Sequence, residues 1–570
     1  TDSPTTSSGA ATPDNETTPT IAVTQSGKQS TAIRFAEIAI EAGVDFQYRN
    51  GEEQGTYTIL ESLGGGVGVT DLDADGLQDL FLPGGGTMTP DAVPGALPSV
   101  VYRNRSSPEH IQFEAVTEQT GPLECPCYSH GALVCDWNND GFEDILVTGF
   151  GATQLLINMG DGTYEEHPFA TPQTWNSSAA AGDFNGDGVT DLYLTRYLNW
   201  SPQNNPECDT GGVLGKREVC PPRTFEALPD SIIFGDGSGG AARAVQPEYV
   251  GKGLGVVVAD IDLDGDPDIY VTNDTVRNSL LVNDGTGNFE DRAESTGTAY
   301  GDTGRDDGSM GVDVGDYNLD GRPDIWVTNY ELDNFALYRS YSADFFQHVS
   351  RSTGVVAVCG QRVGWGTQFA DVDLDGDEDL FAVNGHVSRH PHSAPVKQTS
   401  FLLENIDGQR FEQHDAGPYF NEPRMSRGAV QCDLENDGDC DFVVSCMNEP
   451  FCILRNDTQT DHNWLSVRLI GRESIRSPTG ASATVTTNDD RTLLRLQKSG
   501  TSYASSRDGR LTWGLGQHPE SVSLQINWPS GTTQVFDSVK PNQFVTIVEG
   551  RSEVFADTQT RSYATPQNKL

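Results

Sequence analysis

Basic side chains are scarce in this chain. Its 570 residues hold 36 Lys and Arg against 83 Asp and Glu, a formal net charge of −47 at neutral pH. A surface this acidic repels phosphate, which excludes nucleic acid and argues against docking on anionic membranes. No run of 18 or more apolar residues occurs, so no transmembrane helix is expected. Long stretches of helical period are also missing, as are the G-x-S-x-G and H-E-x-x-H signatures of activated serine and zinc hydrolases. What is present can fold: 36% apolar and 9% aromatic residues fill real cores, so the acidity is not a sign of disorder. With 62 Gly and 30 Pro, the composition favours many turns over long helices.

The ends differ from the middle. Residues 1–30 are Ser-, Thr- and Pro-rich, and the first twenty contain no large apolar residue, which reads as a disordered tether. A secretion signal, or a lipid-modified Cys ahead of such a spacer, would fit upstream of Thr1. Residues 553–570 read as a polar tail. Ten Cys residues are compatible with up to five disulfides and an oxidising compartment. The spacing allows local pairs, Cys208 with Cys220 and Cys446 with Cys452, while connectivity stays open. The CxC at 125–127 lacks a second pair at finger-like spacing, which argues against zinc.

The acid is patterned. One nine-residue loop recurs seven times, its first positions spaced by about 60 residues on average. Positions 1, 3, 5 and 9 are Asp71, Asp73, Asp75 and Asp79 in the first copy and Asp136, Asn138, Asp140 and Asp144 in the second. They are Asp183, Asn185, Asp187 and Asp191 in the third, then Asp260, Asp262, Asp264 and Asp268 in the fourth. The fifth has Asp316, Asn318, Asp320 and Asp324, and the sixth Asp371, Asp373, Asp375 and Asp379. The seventh has Asp433, Glu435, Asp437 and Asp441. These positions hold 25 of the 83 acidic residues. Calcium is a hard cation that takes six to eight oxygens, and alternate residues of a tight loop aim side-chain oxygens at one centre. Gly at position 6 of every copy permits the turn that returns position 9 to the ion, with position 7 offering its backbone carbonyl. The helix-flanked calcium hand is excluded, because its Glu at position 12 is missing. A single Asp/Asn/Gly-rich stretch would be an ordinary β-turn, but turn chemistry does not ask for Asp at position 9 in seven copies. The expected cofactor is Ca²⁺, up to seven ions.

Five residues before each first Asp stands Gly66, Gly131, Gly255, Gly311, Gly366 or Gly428, with Ser178 in the third copy. After position 9 come apolar runs of strand length such as LFL, ILV and IWV, and then a second strand with a recurrent tail, as in QLLINMGDGTYEE and SLLVNDGTGNFED. Each repeat is thus about four short strands. Four-stranded units at a fixed period stack into a β-propeller. The expected fold is all-β: a seven-bladed propeller over 31–460, whose last blade is completed by the segment from Phe35, and a small β-domain over 461–552. The largest insertion, about 196–235, falls in the third repeat, and long loops on a rigid ring are where binding residues usually sit.

These Gly-x-x-x-x-Asp-x-Asp/Asn-x-Asp-Gly-x-x-Asp repeats resemble FG-GAP repeats of the kind found in integrin α-subunit propellers. Residues 463–549 resemble the ASPIC/UnbV domain through SPTGASATV, SGTSYASS, LTWGLG, WPSG and NQFVTIVEG. The ordered combination is that of the cartilage acidic protein family, bacterial secreted members included. The resemblance implies a secreted or cell-surface calcium-binding propeller, periplasmic in some bacteria, with a β-domain attached, and no defined activity. The seventh loop departs from the pattern. It has Glu435 at position 3, and Cys432 and Cys440 flank the ligands, where a disulfide would stiffen or replace metal binding.

Other chemistry-bearing residues are few. His386, His390 and His392 have a spacing that suits a transition metal, but NGH follows a strand run and the other two lie in a polar loop. Ser499-Gly-Thr and Ser505-Ser506 sit in a Gly/Ser-rich stretch that reads as loop. The function expected is an extracellular adhesion or ligand-binding module for a protein or glycan. The alternatives are a calcium-dependent glycan lyase or hydrolase, and a structural surface or filament component that self-associates through the C-terminal domain.

Overall fold

A computed structural model describes Thr1 and residues 32–556, apart from 109, 122, 170–173, 211–214 and 518. The expected tether, Thr1 aside, and the tail beyond 556 lie outside the described residues. The described chain is all-β, and its two α-helices, Ala293–Thr296 and Val356–Cys359, are one turn each.

Seven antiparallel sheets follow one another around a ring, as in a β-propeller. Each acidic loop joins the innermost strand of its sheet to the second strand. In the fourth sheet these are Gly253–Ala259 and Asp268–Asn273, followed by Ser279–Asn283 and Phe289–Asp291. Second strands such as Asp268–Asn273 and Asp324–Asn329 are buried along their whole length, because each lies between neighbouring sheets. This double-sided burial is why they read as unbroken apolar runs rather than alternating ones. Outermost strands face solvent, and Ala241–Val245 is exposed throughout. Phe35–Glu37 pairs antiparallel with Cys452–Asn456 and becomes the outermost strand of the seventh sheet, so the chain's two ends close the ring.

The C-terminal domain is a sandwich of two four-stranded sheets. One is ordered Leu511–Gly516, Asn463–Ile470, Phe544–Val548 and Val554–Ala556; the other is Thr492–Leu496, Ser482–Thr486, Val522–Asn527 and Thr533–Val539. Leu465, Val467, Trp513, Leu524, Ile526 and Ile547 pack between them. The expected polar tail therefore begins later than residue 553, because Val554–Ala556 pairs with Phe544–Val548.

The Gly/Ser-rich stretch does not hang free. Residues 499–506 leave the sandwich and run into the middle of the ring, where they bond to the innermost strand of every sheet. Ser506 and Val67/Val69 exchange backbone hydrogen bonds in the first sheet. Ala132 donates its N–H to Ala504 O in the second, and Ser178 Oγ accepts from Ala504 N in the third. Ser499–Gly500 pairs with Val257 and Val258 of the fourth, and Ser502 with Val312 of the fifth. Ser502 Oγ accepts from Thr367 N of the sixth at 3.0 Å and donates to Ala429 O of the seventh at 2.5 Å. The repeated small residue before each loop is explained here. A Cβ on Gly66 would stand 1.8 Å from Ala504 O, and one on Gly311 2.0 Å from Trp365 O.

Candidate metal centres

All seven loops share one internal wiring. The position-1 carboxylate accepts the N–H of the position-6 glycine, for example Gly265 to Asp260 at 3.1 Å and Gly321 to Asp316 at 2.8 Å. In six loops the position-5 carboxylate accepts the N–H of position 7, as Leu77 donates to Asp75 at 2.9 Å. Position 4 lies in the left-handed region in every copy. It is Ala74, Asn139, Leu263, Leu319, Leu374 or Asn436, and Gly186 in the third loop. A side chain held there costs about 1–2 kcal/mol per residue. The turn at that position accompanies a close approach of loop carboxylates in three of the seven copies. Carboxylate oxygens of Asp71, Asp73 and Asp75 lie within 4.8 Å of one another, as do those of Asp371, Asp373 and Asp375 and those of Asp260, Asp262 and Asp268.

Position 9 has a second task. Its carboxylate is buried in all seven copies, and in six it takes backbone N–H groups on both oxygens, while Asp324 takes the Ser340 N–H on one oxygen and the Asn318 side-chain amide on the other. Asp268 accepts from Ile261 at 3.0 Å and from Asn283 at 2.9 Å; Asp144 accepts from Trp137 at 2.9 Å and from Asn158 at 2.8 Å. Asp at position 9, which turn chemistry does not ask for, is thus asked for by the loop-to-strand bonds independently of any metal. Sequence reasoning also missed an Asn at or next to the end of the third strand in five sheets. Asn104, Asn158, Asn283, Asn405 and Asn456 donate their side-chain amides to the position-2 carbonyl of the preceding sheet's loop, namely Leu434, Leu72, Phe184, Tyr317 and Val372. The recurrent Asn in LLIN, LLVN and ILRN was the available signal.

The electrostatics of the loops are those of anions short of cations. Burial holds the Asp260 carboxyl up to about 7, and Asp264 and Asp262 add to it. Burial likewise lifts Asp316 to about 7 and Asp433 to about 8. Several buried oxygens have no hydrogen-bond partner: Asp73 Oδ1, Asp260 Oδ1, Asp320 Oδ1, Asp371 Oδ1, and in the seventh loop Glu435 Oε2. Oxygen-only donors, converging and partly unpartnered, fit a hard divalent cation and not a soft one. No disulfide stiffens the seventh loop, because Cys432 and Cys440 are both free thiols.

The C-terminal domain sits on this loop-bearing face. Arg468 reaches Asp71 at 3.5 Å, Arg491 donates to Asp375 O at 2.8 Å, and Arg510 donates to Asp433 O at 3.1 Å. The Gly514 N–H donates to Asp371 Oδ2 at 3.0 Å. Lys498, buried, pairs with Asp313 at 2.5 Å beside the channel. The first, sixth and seventh loops are thus tied to the domain that fills the channel.

The remaining candidates fall out differently. His386 is buried, 3.4 Å from Glu331, and accepts the Ser388 N–H on Nδ1. Among the described residues, no cluster of three metal-ligating side chains includes His386, His390 or His392. Cys208 and Cys220 form a disulfide, as does the CxC pair Cys125–Cys127. Cys446 and Cys452, a pair that the spacing allowed, are free thiols.

Comparison with known proteins follows this geometry. Residues 471–554 match the family described as ASPIC and UnbV, and residues 136–194 and 260–327 match FG-GAP-like repeats. The chain is 25% identical over 502 residues to cartilage acidic protein 1 of Homo sapiens, spanning 82% of this chain and 69% of that protein. To the Mus musculus protein of the same name it is 24% identical over 530 residues, covering 85% and 73%. Among solved structures, an Agrocybe aegerita lectin that recognises non-reducing terminal N-acetylglucosamine aligns with a TM-score of 0.40 and 14% identity. That alignment covers 76% of this chain and 98% of the lectin.

Proposed function

Because the chain belongs to the cartilage acidic protein family, with FG-GAP-like repeats in its ring and an ASPIC/UnbV domain beside it, we propose that it is an extracellular calcium-binding propeller that holds a protein or glycan ligand. The observation that carries the calcium reading is the set of converging carboxylates with unpartnered buried oxygens, repeated on one wiring. Residues at positions 1, 3, 5 and 9 of the loops would hold the ions. Bound calcium supplies the positive charge that these desolvated anions lack. The chain's own residues do the rest: the position-9 carboxylates tie loop to strand, five Asn side chains tie five of the loops to the next sheet, and 499–506 tie all the sheets to one another. Two disulfides suit an oxidising compartment, where calcium sites work at about 10⁻⁴–10⁻³ M.

A ligand-binding module of this kind needs its ring intact, so ligand capture should follow calcium. The test is retention of the full chain on a panel of glycans and extracellular proteins in millimolar calcium and in chelator. Capture that requires calcium is expected. Capture of nothing, or equal capture in chelator, would overturn the reading.

A further inference from the structure

On the face of the ring opposite the acidic loops lies a cavity of about 350 Å³. It opens between the segment around Ile59–Leu63, the disulfide-tied segment ending at Arg223, and the strand ends of the fourth, fifth and sixth sheets. The floor is apolar: Leu63, Leu254, Met310 and Trp365 are all buried. The upper wall is acidic. Asp274, Glu331 and Asp333 line it, and Arg223 is the single basic residue among the lining side chains.

The three carboxylates are anchored rather than floppy. Asp274 accepts the Tyr197 phenol at 2.5 Å, Asp333 accepts the Gly308 N–H at 3.1 Å, and Glu331 accepts the Ser393 hydroxyl at 2.6 Å. Burial holds the Asp274 carboxyl up to about 6 although Lys252 and Arg223 pull it down, and burial also raises Asp333. Three carboxylates therefore line the cavity against one lining cation, Arg223, and His386 Nε2 lies 3.4 Å from Glu331. Trp365 offers apolar surface rather than a free cation face. The Arg427 guanidinium already stands 4.2 Å over its ring, and Tyr503 meets it edge-on at 4.7 Å. A positive group belongs at the acidic wall, with carbon below it.

We propose that this cavity binds a primary ammonium on an aliphatic stem, the charge seated among Asp274, Glu331 and Asp333 and the stem on Leu63, Leu254 and Met310. The proposal rests on the reading of the propeller as a ligand-binding module and names the chemistry of its ligand. A free alkylamine and a lysine side chain share this chemistry. Anions are repelled by the wall, and a neutral alcohol of the same length lacks the charge that the wall asks for.

The test is calorimetric titration of the full chain in calcium with n-pentylammonium, with Nα-acetyl-lysine amide, and with 1-pentanol as the uncharged control. Ammonium binding at least tenfold tighter than the alcohol is expected. Asp333→Asn and Glu331→Gln should each weaken the ammonium by about tenfold, roughly 1.4 kcal/mol, with the thermal midpoint unchanged. Binding of pentylammonium alone assigns the site to free amines, and binding of both amines assigns it to a lysine side chain. Equal binding of the alcohol, unweakened binding in both variants, or no ammonium binding overturns the proposal. If calcium-dependent capture on the panel persists in that last case, the cavity assignment fails while the proposed function stands.

Discussion

Ser502 is the residue through which the ring's closure can be weighed. Its backbone exchanges hydrogen bonds with Val312, and its hydroxyl bridges Thr367 N and Ala429 O, joining three sheets at one residue. Ser502→Ala removes only the hydroxyl. It leaves one buried N–H and one buried carbonyl unpartnered, at about 1–3 kcal/mol each, so about 2–6 kcal/mol in all. Ser502 also has φ of 59°. Glycine takes that backbone without the penalty borne by an alanine, so Ser502→Gly should be about 1 kcal/mol more stable than Ser502→Ala and still below the parent. Urea unfolding followed by tryptophan fluorescence reads both differences, since Trp365 packs on the neighbouring Tyr503. An Ala variant within about 0.5 kcal/mol of the parent, the scatter expected for a surface site, would refute the view that 499–506 hold the ring together. A Gly variant no better than Ala would refute the strain argument alone.

Three further outcomes follow. Asp268→Ala should cost about 2–6 kcal/mol even in chelator, because two buried N–H groups lose their acceptor; Asp264→Ala, at an exposed position 5, should show its cost only when calcium is present. In metal-free protein, carboxyls lifted to about 7, such as Asp260 and Asp316, favour the protonated fold. Their contribution is complete below the unfolded value near 3.8 and is lost as pH rises through about 7. The metal-free melting midpoint should therefore fall from about pH 5 to pH 8 while calcium affinity rises over the same interval, and a flat metal-free profile would contradict the shifts. Removing the Cys208–Cys220 bridge by a double Cys→Ser change should destabilise its segment by about 3 kcal/mol. Faster hydrogen exchange at Cys208, Asp209, Arg217 and Glu218, which pair as a small hairpin, would report that loss.

How far the sequence reaches depends on repetition. The acidic loop, its glycine and the apolar run after it occur seven times, so residue type at each position becomes evidence of geometry, and the ring of four-stranded sheets follows from the period. The left-handed position 4 was hidden because Ala74, Leu263 and Asn436 share no residue type, although they share φ near 55–63°. The double duty of position 9 was hidden because a carboxylate that accepts two N–H groups and one that holds a cation look alike in one dimension. The stretch Ser499–Ser506 occurs once, has no period, and reads as loop by composition. Only the channel it fills gives it meaning, and that channel includes a residue 438 positions away. Thiol pairing was open for the same reason. Cys125–Cys127 bonds while Cys446 and Cys452 do not, and spacing alone ranks those pairs the other way.

The central claim is that calcium in the acidic loops holds the ring. The most direct measurement is the thermal unfolding of protein stripped of metal, with and without added calcium. At free calcium about ten times the dissociation constant each occupied site adds about 1.4 kcal/mol. The account predicts a midpoint that rises by many degrees as calcium is restored. An unchanged midpoint, in protein shown by elemental analysis to begin metal-free, would contradict it.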